Sequence, residues 1–202
     1  MTITITLLAD GRSDRALEPI IRLALDEHWP GPYRLQTAGG LGVGHRLQDR
    51  LPVAIQKYPC DLLMVHRDAE GLDPGARGVE VLQALEDCAV ALPSVALIPV
   101  RMTEAWLLAD EGAIRRAVGN PHGRTPLELP AHREIEAIGA KDVLFRALEL
   151  ASELGARRRH KFDPHQFRHR VADNLDSLVP LRQSPSFRTF EAALRAKVAG
   201  MN

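Results

Sequence analysis

The sequence predicts an α/β protein: a mostly parallel four-stranded sheet flanked by helices, with a helical C-terminal extension. Three observations carry that expectation. Short apolar or alternating segments interleave with helical stripes through the first hundred residues, turns rich in glycine or acid follow those segments, and beyond residue 101 the periodicity becomes helical throughout. A chain of 202 residues with 45% hydrophobic content can bury one sizeable core. The expected division is an α/β domain over residues 1–118 and a helical, basic extension packed on it over residues 119–202.

Residues 2–8 alternate threonine with isoleucine or leucine, the period of a half-buried strand, and ADGRSD breaks the pattern with Gly11 and a potential helix cap at Ser13. A helix to about residue 27 then places Leu17, Ile20, Ile21, Ala24 and Leu25 on one stripe. The pattern repeats with a short strand at 33–37, a glycine turn at 39–44 and a helix from 45 to 57. Residues 62–66 are nearly all apolar, as a strand covered on both faces requires. A Gly/Pro-rich loop at 70–78 leads to a helix ending near 92, and the fourth strand is expected at 95–100. Helices follow at 104–110, 111–118, 142–154, 165–174 and 187–198, with a proline-bearing loop or lid at 119–130.

In a parallel sheet, functional groups gather beyond the carboxyl ends of the strands. Here those positions are acidic three times over. Asp10 follows the first strand, with Asp14 one turn later; Asp68 and Glu70 follow the third; Glu104 lies four residues past the apolar end of the fourth. Carboxylates brought to one edge repel and raise one another's pKa unless a cation sits among them. Hard oxygen donors, with only Cys60 and Cys88 in the chain and no pair of nearby histidines, suit Mg²⁺ or Mn²⁺ better than zinc. Arg67, Arg101 and Lys141 are the candidate cations for phosphate charge. His66 ends a buried strand and is expected to be packed there; Trp106 is expected to be core.

Formal charge sums to zero, yet residues 155–202 carry ten basic side chains against four acidic ones, leaving residues 1–154 with the opposite excess. Such a tail fits a polyanion, with Arg157, Arg158, Arg159, Lys161 and Arg168 as the nucleic-acid-binding candidates; the same charges fit a docking surface for a partner protein. The glycine turn, followed by His45 and Arg46, could cradle a phosphate but matches no nucleotide-binding signature. Two cysteines without a CxxC, no apolar stretch of membrane-spanning length and an opening segment without signal-peptide character place the expected protein in the cytoplasm.

The segments DGRSD, HRDAEG and PVRMTEAWLLAD, in that order after strands one, three and four, resemble the TOPRIM superfamily. Together with the closing SPSFRTFEAAL they look closest to a small bacterial TOPRIM-like branch related to OLD-type nucleases and encoded beside AAA-type ATPases. The resemblance runs over nearly the whole chain and implies a TOPRIM/Rossmann-like fold. It implies Mg²⁺-dependent hydrolysis of RNA or DNA, with metal held by Asp10, Asp14, Asp68, Glu70 and Glu104 and catalysis by Asp10, Asp68 and Glu70; Arg101 and Lys141 join the expected catalytic set as the cations beside the metal. It also implies a place as effector of an ATPase-linked anti-phage defence system. Two positions depart from the family pattern: Asp10 stands for a glutamate, and Glu70 for the second aspartate of an Asp-x-Asp pair. The alternative is a non-catalytic module that binds metal or nucleotide and docks a partner ATPase.

Overall fold

The computed structural model describes residues 2–9, 11–69, 73–100, 103–131 and 139–201. Four parallel strands, β1 (Ile3–Leu8), β2 (Tyr33–Ala38), β3 (Leu62–His66) and β4 (Ser94–Leu97), form one sheet in the order β2-β1-β3-β4. Between them run α1 (Leu17–His28), α2 (Leu47–Lys57) and α3 (Pro74–Asp87). The second part of the chain forms α4 (Glu104–Leu107), α5 (Glu111–Ala117), α6 (Ala140–Ser152), α7 (Ala156–Arg159), α8 (Arg168–Asp173) and α9 (Pro185–Ala199).

Strand alternation decides which helix covers which face. Ile3, Ile5 and Leu7 of β1, Leu62 and Met64 of β3, and Val95 and Leu97 of β4 share a core with α1, α4, α5, α6, α8 and α9. Leu8, Leu63 and Val65 point the other way and pack against α2 and α3. The chain first steps from β1 outward to β2 with α1 on one face, then returns past β1 to β3 and β4 with α2 and α3 on the opposite face. Constant crossover handedness requires that change of face. The reversal lies between β1 and β3, whose register pairs Leu8 with Val65, so the two strands release their chains side by side.

The element boundaries depart from the periodicity for local reasons. The segment after β1 makes a tight 3-10 turn, Arg12–Ala16, before α1 begins at Leu17. Gly11 stands at the N-cap of that turn, and the Asp14 carboxylate accepts the Gly11 N–H at 2.7 Å; the side chain of Ser13, the expected cap, lies outside the description. Helix α3 ends at Asp87, short of the expected residue 92, because Ala89 takes a left-handed conformation with φ 50°. The expected helix at 165–174 is a 3-10 turn, Pro164–Phe167, followed by α8; Asp163 caps the turn by accepting the His165 N–H at 3.0 Å.

Residues 119–130 are tied down. The carboxylate of Glu153, itself in the left-handed cap of α6, accepts the N–H groups of Arg124 (2.6 Å) and Thr125 (2.7 Å), and Asn120 donates to the Ala151 carbonyl at 2.9 Å. Those two backbone donors hold the Glu153 carboxyl well below the ordinary range, near 2. Trp106 is core, as expected: fully buried, it meets the rings of Phe187 and Phe190 at 5.2 and 5.9 Å and donates its indole N–H to Ser186 Oγ at 2.8 Å. Residues from both parts of the chain thus share one apolar core. Among the described residues, no helix is long and apolar enough to cross a membrane.

The cap of α5 offers a small test of this local reading. Asp110 accepts the Ala113 N–H at 2.9 Å, and Asp110→Ala is expected to lower stability by about 1 kcal/mol, read as a reduced urea midpoint at unchanged slope.

Candidate functional site

The crevice between the ends of β1 and β3 is where open parallel sheets bind ligands, and three of the expected acids meet there. Asp14 arrives on the 3-10 turn after β1, Asp68 follows β3 by two residues, and Glu104 opens α4. Asp10, Glu70 and Arg101 lie outside the described residues.

The organising group is His66. As the last residue of β3 it has the same parity as Leu62 and Met64, which points it into the face covered by the 3-10 turn and the C-terminal helices. It is completely buried, and a buried imidazole needs partners for both nitrogens. Nδ1 lies 3.1 Å from Asp14 Oδ2 and Nε2 lies 3.3 Å from Asp68 Oδ1. Asp14 is itself 5% exposed, and its Oδ2 also accepts from Gly11. Burial alone would push the His66 pKa down; hydrogen bonds and charge from Asp14 and Asp68 outweigh it and lift the value to about 9. The imidazole is therefore a cation at neutral pH, a bridge between two carboxylates.

Asp68 is raised as well, first by burial and then by the negative charges of Asp14 and Glu104, which together exceed the lowering by His66. Both shifts favour the protonated form, that of His66 through its two carboxylate partners and that of Asp68 mainly through burial.

Glu104 is 2% exposed, and Arg168 of α8 donates to its Oε1 at 2.6 Å. Arg168 was expected on the nucleic-acid-binding surface; the structure turns it inward onto an acid of the site. A further cation comes from α2, where the buried Arg50 donates to the Ala9 carbonyl at the very end of β1. The other expected cations lie elsewhere. Arg67 pairs with Glu80 of α3 at 3.5 Å, on the far face of the sheet. Lys141, in the first turn of α6, sits 5.7 Å from the Phe145 ring centroid. Arg157, Arg158, Arg159 and Lys161 are exposed, on and just after α7.

The donor set of Asp14, Asp68 and Glu104 fits a hard divalent cation in its chemistry: oxygen ligands, mostly buried, in a field that favours added positive charge. Its spacing in this structure is open. Among the described residues, Asp14, His66, Asp68 and Glu104 supply no three ligand atoms within 4.8 Å of one another, because the imidazole stands between the aspartates. The tight three-residue group is a different one: Glu27, His28 and Glu191, which join α1 to α9. Arg182 fills it, bonding Glu191 through Nε and Nη2 and reaching Glu27 as well, and the His28 ring lies 2.9 Å from Glu191.

The glycine turn before α2 has Gly40 and Gly42 at φ 62° and 74°, conformations that favour glycine, with Leu41 buried between them as an anchor. His45 and Arg46 beside it are exposed.

Of the side chains gathered at this edge, sequence reasoning missed His66 as a bridge, Arg50 as a buried cation and Arg168 as the partner of Glu104. A polar residue closing an otherwise apolar strand was the available signal for His66. No comparable signal marks the two arginines, whose roles depend on which helix packs where. No family model matches the chain, and no curated protein and no solved structure matches it.

Proposed function

We propose that this protein is a TOPRIM-like, divalent-metal-dependent nuclease of the cytoplasm that hydrolyses phosphodiester bonds in RNA or DNA, and that it serves as the effector of an ATPase-linked anti-phage defence system. The observation that carries the reading is the placement of Asp14, His66 and Asp68 at the carboxyl ends of β1 and β3, where the sheet reverses its winding, with Glu104 of α4 near enough for its charge to act on Asp68.

Asp14, Asp68 and Glu104, joined by Asp10 and Glu70 from the sequence, are the residues that would hold Mg²⁺ or Mn²⁺. The bound ion supplies a nucleophile from water at neutral pH and stabilises the oxygen that departs. The chain's own part is positional. His66 holds Asp14 and Asp68 in fixed orientation from between them, Arg168 holds Glu104, and the exposed cations Arg157, Arg158 and Lys161 attract the phosphate backbone. Burial raises the Asp68 pKa, so ion binding is expected to weaken as pH falls.

A second reading has an observation of its own. His66 and Arg168 already neutralise much of the acidic site, and its described ligand atoms do not converge; both suit a non-catalytic module whose basic helices dock a partner ATPase.

One assay separates the two. Purified protein, alone and with any AAA-type ATPase encoded beside its gene, is incubated with labelled single strands, duplexes and tRNA in Mg²⁺ or Mn²⁺. The nuclease reading expects cleavage that disappears with a chelator and falls by more than about 100-fold in Asp68→Asn, while circular dichroism of the variant is unchanged. Intact substrates under every condition, with a partner complex that survives Asp68→Asn and fails when the chain is cut at Gly155, would select the docking module.

A further inference from the structure

Residues 155–170 form a short-turned segment packed against the start of α6, and it gathers rings as well as charge. Phe162 and Phe167 stack with centroids 4.8 Å apart and planes 14° from parallel. The Arg170 guanidinium lies 5.2 Å from the Phe167 centroid. On α6, Phe145 meets the exposed His165 ring at 4.3 Å, with Lys141 on its other approach. Three of the chain's five phenylalanines are here, all partly exposed. The remaining two, Phe187 and Phe190, are buried with Trp106.

Beside the rings, Arg157, Arg158 and Lys161 line a groove of about 730 Å³, and among the described residues none of these three makes an ion pair. The acids nearest in sequence, Glu153 and Asp163, are turned to other partners: Glu153 accepts the Arg124 and Thr125 N–H groups and Asp163 caps the 3-10 turn. The surface thus carries an excess of positive charge, and its border toward the core is Arg168, bonded to Glu104.

We propose that this surface binds single-stranded nucleic acid: its phosphates lie along Arg157, Arg158 and Lys161, and an unpaired base stacks on the His165 ring or the Arg170 guanidinium. Planar groups present a face that only an unpaired base can use, since a duplex hides its base faces and offers cations alone its backbone. The rings already packed beneath His165 and Arg170 hold those planar groups in place, which reduces the ordering that binding costs. The inference deepens the nuclease reading and rests on it for one clause only, that the strand leads past Arg168 to the acids.

Fluorescence anisotropy on the full chain, with a chelator present so that hydrolysis cannot contribute, tests the surface separately from the chemistry. The probes are labelled DNA and RNA single strands and the matching duplexes. At least one single strand is expected to bind about tenfold more tightly than its duplex. The exposed-site variant His165→Ala/Arg170→Ala is expected to weaken single-strand binding by about tenfold and leave duplex binding unchanged. Arg158→Gln/Lys161→Gln should weaken both forms and flatten the salt dependence. Equal or tighter duplex binding, no binding of either strand, or an unaltered single-strand affinity in the His165/Arg170 variant would overturn the proposal. Single-strand binding without cleavage in Mg²⁺ would keep it and count against the nuclease reading alone.

Discussion

His66→Leu is expected to destabilise the protein by about 3–5 kcal/mol at pH 6, measured as a lower urea midpoint at constant slope. Leucine occupies similar volume, so packing is largely kept. What is lost is the cation between Asp14 and Asp68, which leaves two carboxylates of a buried pocket without compensation. The wild-type protein carries the same information in its pH dependence. The folded-state pKa of His66 is raised to about 9 from an ordinary 6.5, so folded and unfolded chains are both protonated below 6.5 and the contribution is present in full. It declines as pH rises from 6.5 through about 9 and is gone above that, a change of about 3 kcal/mol. Wild-type stability should therefore fall across this window while His66→Leu stays nearly flat. Parallel curves for the two proteins would mean that His66 is neutral when folded, and the account of a cationic bridge would fail.

The strands, and hence the edge where Asp14 and Asp68 meet, were legible because each rests on a pattern a few residues long. Alternation from Ile3 to Leu8 and the apolar run from Leu62 fix which side chains face which layer, and the turn after each strand then has to fall at one edge of the sheet. Helix ends were less legible. Leu92, seven residues past Leu85, continues the stripe of α3, but the left-handed backbone at Ala89 ends the helix before it. The pairing of acids with cations was hidden for a different reason. Sequence shows that Glu104 and Arg168 both carry charge, and 64 positions separate them; only the packing of α8 against α4 brings them together. The same holds for Arg50, which reaches the Ala9 carbonyl from α2. A sequence rich in exposed arginines gives no means of choosing the two that fold inward.

Arg168→Met is the second large effect, and its interpretation depends on a companion variant. Breaking a buried pair by removing one partner is expected to cost about 3–5 kcal/mol, because it leaves the buried charge of Glu104 without its guanidinium partner. Glu104→Leu/Arg168→Met removes both charges, and most of that loss should return, since two apolar groups of similar size leave no buried charge behind. Recovery in urea melts would mean that the pair contributes little net stability. Its value then lies in position: it fixes α8, with the basic segment before it, against the helix that presents Glu104. A double variant that is stable yet unable to cleave, beside an Arg168→Lys variant that cleaves weakly, would assign Glu104 to the chemistry and Arg168 to holding it there. If the double variant were as unstable as the single one, the pair would be a structural clamp between α4 and α8, and the case for Glu104 as a metal ligand would lose its support.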